Sequence, residues 1–170
     1  MFVRPFQGRW RILVVLLVAF VLFNTAVRLG LAAFNAFGAA GGEAGTLNPL
    51  RLIPALGIGL AFDIGVATFF LAPIGVLVLA WRRGPGRWLR RGLLALLLPL
   101  CVLMVFVAFS EFTFWNEFAS RFNFIAVDYL IYTNEVVGNI RESYNLPVLL
   151  GGVAFLSLAI WGAVGRALRP

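Results

Sequence analysis

IPALGIGLAFDIGVATFFLAPIGVLVLAW occupies residues 53–81, and the way it divides decides how the chain crosses a membrane. A helix needs about 20 apolar residues to cross roughly 30 Å of hydrocarbon. The stretch is therefore too long for one upright span, and Asp63 interrupts it. One tilted helix would bury Asp63, at roughly 2.5–3.5 kcal/mol on insertion scales. Alternatively, residues 49–60 lie along the interface and Asp63 opens a span over 64–81, whose rise of about 27 Å is enough to cross. A carboxylate at a helix start caps free N–H groups and complements the helix dipole. The second division is preferred, with Asp63 as a cap at the interface. The other role for Asp63 is a polar contact with Arg121 or Arg28.

The rest of the chain is equally apolar. Of its 170 residues, 62% are hydrophobic and 12% charged, with mean hydropathy +0.96, whereas soluble domains carry roughly 25% charged residues. The fold class read from this is all-α: an integral membrane bundle of four transmembrane helices with an outward-facing amphipathic interfacial helical segment. Residues 1–170 form a single transmembrane domain, with spans at 12–33, 64–81, 92–109 and 147–164. Interfacial segments are expected at 49–60 and 111–144. The first span, preceded by Arg4, Arg9 and Arg11, lacks a short h-region with a small-x-small cleavage site and reads as a retained anchor. Pro73 is expected to kink the second span, and Pro147 to open the fourth.

All 14 basic residues are Arg, and Lys and His are absent. The pI of about 11.3 does not imply nucleic acid, because the charge sits in short loops between apolar runs rather than on one exposed face. With no His and the single Cys101, neither an intrachain disulfide nor a classical zinc site is supported. Arg4, Arg9, Arg11, Arg82, Arg83, Arg87, Arg90, Arg91, Arg166 and Arg169 fall on one side with no acid, while all seven acids fall on the other with Arg28, Arg51, Arg121 and Arg141. The positive-inside rule places the arginine-rich side, with both chain ends, in the cytoplasm. The Arg82–Arg91 run would attract anionic lipid, but it is read first as a loop that sets topology. Gly57, Gly59, Gly151 and Gly152 could allow close helix contact.

The main outward stretch includes RFNFIAVDYLIYTNEVVGNIRESY, residues 121–144. Read as helix, Trp115, Phe118, Phe122, Ile125, Tyr129, Tyr132 and Val136 form an amphipathic stripe. Glu117, Arg121, Asp128 and Glu135 would share one face, with Glu117 placed to pair with Arg121 four residues on. Asn123, Asn134, Gly138 and Asn139 offer breaks, so two shorter helices fit as well as one. The plainer role is an interfacial helix whose charges are solvated or paired. The sharper role is a headgroup-facing or domain-docking surface built from Asp63, Glu117, Arg121, Asn123, Asp128, Tyr132, Glu135 and Arg141.

FWNEFASRFNFIAVDYLIYTNEVVGNIRESY, residues 114–144, resembles the juxtamembrane stretch of bacterial proteins in the lipoteichoic acid synthase and phosphoglycerol transferase family, within the alkaline phosphatase/sulfatase superfamily. GLAFDIG, residues 59–65, is similar to a shorter element of the second span in these proteins. The resemblance implies a bundle of about five membrane helices followed by an extracytoplasmic catalytic domain. That domain would use a Thr nucleophile and a divalent metal (manganese, zinc or magnesium) to move phosphoglycerol from a phospholipid such as phosphatidylglycerol to an acceptor. No residue here matches that nucleophile or its metal ligands. The chain is accordingly read as the membrane-anchoring part of such a protein in the bacterial plasma membrane. It would carry no cofactor itself, and its partners would be membrane lipids and the missing catalytic domain. The alternative is a self-contained small membrane transporter or lipid-binding envelope regulator. P-loop, H-E-x-x-H and G-x-S-x-G motifs are absent, so ATPase, zincin and hydrolase readings have no support.

Overall fold

A computed structural model describes residues 3–36, 49–80, 87–118, 120–124, 127, 131 and 133–168. Five helices are described along their length, α1 (Val3–Ala36), α2 (Pro49–Ala80), α3 (Arg87–Phe118), α4 (Thr133–Ser143) and α5 (Leu146–Ala167), and residues 124, 127 and 131 are also helical. Four of these, all but α4, are long and apolar enough to cross a membrane.

α2 is continuous from Pro49 through Asp63 to Ala80 and carries Pro54 and Pro73 in its interior. The expected helix start at Asp63 is therefore not formed, and residues 49–60 belong to the same helix as residues 64–80. At 1.5 Å per residue its 32 residues extend about 48 Å, more than a bilayer core is thick. α3 has the same length and absorbs residues 111–118, so the outward segment does not begin as a separate helix. α5 starts as the sequence suggests. Asn145 caps it, its side chain accepting from the Val148 N–H at 3.3 Å, with Pro147 in the first turn.

The long helices associate as two antiparallel pairs, α1 with α2 and α3 with α5, and α1 bridges them. Ile12, Leu16, Ile74, Val78, Leu89, Leu93, Leu97 and Val164 form an apolar core toward the end where α1 and α3 begin. Elsewhere large apolar side chains point outward, including Phe62, Phe69, Val148 and Phe155, each about 70% exposed or more. In water that surface would be a liability; against lipid it is matched.

Four small polar side chains within the long helices satisfy themselves locally. Asn24, Thr68, Ser110 and Ser157 each donate to the backbone carbonyl four residues earlier, at 3.0, 2.8, 2.9 and 2.6 Å. In hydrocarbon no water offers a substitute partner, so this back-bonding fits a membrane setting. Among the small residues singled out in the sequence, Gly152 admits Phe109 at close range, and Gly57 and Gly151 face open space.

Candidate functional site

At the end where α1 and α3 finish and α2 begins, four charges gather. Arg28 lies near the end of α1 and Asp63 well inside α2, and the antiparallel pairing of these helices brings them level. Arg28 Nη1 donates to Asp63 Oδ2 at 3.0 Å and Nη2 to Oδ1 at 3.1 Å. The two side chains are only 15% and 10% exposed. A planar guanidinium facing a carboxylate through two parallel bonds is the strongest form of such a pair.

The local sequence makes room for this fork. Gly59 lies one helical turn before Asp63, and a Cβ there would come within 2.2 Å of Arg28 Cζ. The guanidinium therefore rests on bare backbone at Gly59 while it binds Asp63.

The second pair joins Glu111 of α3 to Arg121. Glu111 is buried, and its Oε1 accepts from Arg121 Nε. On a continuous helix, ten residues would separate these groups by about 15 Å along the axis. They meet because helix α3 stops at Phe118 and residues 120–123 are not helical. Phe114 packs on both sides of that turn, against Phe118 at 4.6 Å and Phe122 at 5.2 Å between ring centroids. The hydrogen bond to Glu111 raises the Arg121 pKa above its ordinary value; partial burial opposes this, and the charges of Glu111 and Asp63 add to it. Asp63 thus acts on Arg121 as well as on Arg28, and the two pairs form one electrostatic group with no net formal charge.

Aromatic contacts surround the group. Phe112 meets Phe34 edge to face at 6.0 Å, and its ring tip lies 3.0 Å from where a Cβ on Gly30 would be. Asn116 donates to the Tyr144 hydroxyl at 3.2 Å, joining the end of α3 to the chain just before α5. The Trp115 indole N–H is buried and has no hydrogen-bond partner among the described residues.

Of the residues singled out from sequence, Asp63 and Arg121 enter this group. Asp63 is a mid-helix ion-pair partner rather than a cap. Arg121 takes Glu111 in place of the expected Glu117, which is exposed. Asn123 donates to Ser120 at 3.4 Å. Arg141 is exposed in the last turn of α4, and Glu135 lies on the same helix. Asp128 and Tyr132 lie outside the described residues. Glu111 was not among the candidates, although an acid directly after the apolar run 92–109 was a visible signal.

No group of three or more His, Cys, Asp or Glu side chains able to hold a metal occurs among the described residues. Each carboxylate of the cluster is engaged by an arginine, so the arrangement is suited to fastening helices and presenting a fixed polar surface. No protein-family model, curated protein or solved structure matches this chain.

Proposed function

We propose that the chain is the membrane-anchoring domain of a lipoteichoic-acid-synthase-like phosphoglycerol transferase. In this reading it sits in the bacterial plasma membrane with both ends cytoplasmic. It holds an extracytoplasmic, metal-dependent catalytic domain close to its phospholipid substrate, phosphatidylglycerol or a related lipid. One observation carries the proposal. The two stretches that bear the resemblance, residues 59–65 and 114–144, are far apart in sequence yet contribute Asp63 and Arg121 to one charge cluster. A shared tertiary role gives a physical reason for both to occur together. Helices longer than the hydrocarbon core and an outward segment tied back to α3 fit a support beneath a further domain. α4, with Arg141 and Glu142 exposed, would lie at the interface on that side.

A second reading, a self-contained transporter or lipid-binding regulator, draws support from the Arg28–Asp63 pair, which lies within the apolar parts of two helices. The reading frame beyond codon 170 separates the two. A further apolar helix followed by a sulfatase-like domain with a Thr nucleophile is expected. A stop codon would sink the anchoring role in favour of the second reading.

A further inference from the structure

We infer that the arginine-rich end of the bundle holds a binding site for one anionic glycerophospholipid, its phosphate received between Arg90 and Arg166. The site is distinct from the charge cluster at the opposite end and does not depend on the anchoring role. Between α3 and α5, Arg90, Leu94, Trp161, Gly162, Gly165 and Arg166 enclose a part-open cavity of about 180 Å³. At roughly 30 Å³ per water in the liquid, that is room for a phosphate group with its glycerol ester.

Three features make the cavity selective for an anion. Arg90 lines the cavity, and its Nε is buried with no hydrogen-bond partner among the described residues, so no carboxylate there neutralises the guanidinium from that side. Arg166 faces the same space from the last turn of α5, its Nη1 3.9 Å from where a Cβ on Gly162 would stand. No acid occurs in the described segments that converge here, 3–16, 87–98 and 157–168, so no carboxylate of those segments competes. The negative end of α5 is already covered, because Arg11 Nη2 donates to the Ala167 carbonyl at 3.3 Å.

The wall of the cavity also explains why a lipid fits better than a soluble anion. The row Arg90, Leu94, Leu98, Val102, Phe106 follows a four-residue spacing up α3. Its first two members line the cavity, and the last three, winding round the helix, form with Pro99 and Leu103 an open apolar face of α3. A phosphate in the cavity lets an acyl chain leave past Leu98 and lie on that face. Trp161 borders the cavity and is held there by its indole N–H, which donates to the Leu94 carbonyl at 2.7 Å.

Trp161 provides the readout. The full chain is reconstituted in phosphatidylcholine vesicles containing either brominated phosphatidylglycerol or brominated phosphatidylcholine, and tryptophan quenching is followed against mole fraction. Quenching by the brominated anionic lipid should be half-maximal at a mole fraction about tenfold lower, as expected for one charge-assisted contact. Trp161→Phe should abolish that difference. The double variant R90Q/R166Q should lose it, whereas R87Q/R91Q, with the same change in charge, should stay within about twofold because only diffuse attraction is altered. Gly162→Leu fills the cavity with every arginine retained, and should lose the difference too, so the test survives if R90Q/R166Q does not fold. Equal quenching by the two lipids, equal effects of the two arginine pairs, or unchanged binding in Gly162→Leu would each overturn the site. Complete competition by inorganic phosphate at about millimolar concentration, an affinity of only about 4 kcal/mol, would reassign it to a soluble anion and overturn the lipid.

Discussion

Both Nη atoms of Arg28 reach the carboxylate of Asp63 inside the helix pair α1–α2, at 3.0 and 3.1 Å, with both side chains largely shielded. Neither charge is tolerable there without the other. Removing one partner of a buried pair characteristically costs about 3–5 kcal/mol, while an apolar replacement of both is often near neutral. Asp63→Ala and Arg28→Ala are each expected to destabilise the protein by that amount, and Arg28→Leu with Asp63→Leu by far less. Unfolding in mixed micelles, read by circular dichroism, measures the difference. Additive losses in the double variant would show that the two residues act independently.

Gly59 gives a second, sharper test of the same geometry. A methyl group at this position would occupy the space of Arg28 Cζ, so the fork must leave Asp63 or splay. Gly57 has open space around it, and there alanine gains helix propensity of up to about 1 kcal/mol. Gly59→Ala should therefore destabilise and Gly57→Ala should be neutral or stabilising. A double cycle of Gly59→Ala with Asp63→Ala should show that most of the glycine's effect disappears once the carboxylate is gone.

These two residues also mark the limit of what sequence reveals. The long apolar runs announced the four spanning helices, because hydropathy over some 20 residues is a local property. Asp63 was read first as a helix start because a lone carboxylate inside a span is costly, whereas at an interface it caps free N–H groups; the contact with Arg28, the alternative, is the one formed. Only a partner 35 residues away, in another helix, changes that balance. The same holds for Glu111. Its helix runs on to Phe118, where no Gly or Pro signals a stop, and Arg121 returns to it only because the chain turns over residues 120–123. A straight helical reading instead selected Glu117, the neighbour four residues from Arg121.

Glu111 is buried while the Arg121 side chain is half-exposed, so the two partners should respond unequally to substitution. Arg121→Ala leaves a buried carboxylate without its cation, at about 1–3 kcal/mol, and the exposed arginine keeps the effect toward the low end. Arg87→Ala, on an exposed residue stacked beside Trp88, should change stability by less than about 0.5 kcal/mol. Thermal unfolding of the two variants in the same detergent decides the comparison.

The pH response of Arg121 has a definite sign. Its folded pKa is raised by Glu111, so its contribution is complete below the ordinary arginine pKa and is lost only as pH climbs through the higher folded value. That window lies beyond any usable alkaline buffer. Wild type and Arg121→Ala should therefore differ by the same margin at pH 7 and pH 10, as measured by parallel melts. A margin that shrinks between these values would mean that Arg121 is not the titrating cation of the pair.

Reporter fusions test the orientation drawn from arginine placement. Fusions after residue 84 and after residue 170 should be active only as cytoplasmic reporters, and a fusion near residue 128 only as an exported one. Reversal of either pattern would move the charge cluster to the opposite face and remove the basis for an extracytoplasmic partner domain.

The antiparallel pairing of α1 and α2 has a consequence for biosynthesis. When α1 enters the bilayer alone, Arg28 is close enough to its end to reach the headgroups. Asp63 has no comparable escape, being a short side chain well inside α2. The second helix can therefore settle across the membrane cheaply only if the first is already there to receive its carboxylate. Insertion becomes ordered, with the first helix serving as the template for the next. A chain lacking α1 should leave α2 unintegrated or wrongly oriented even though α2 is long and apolar enough to cross on its own.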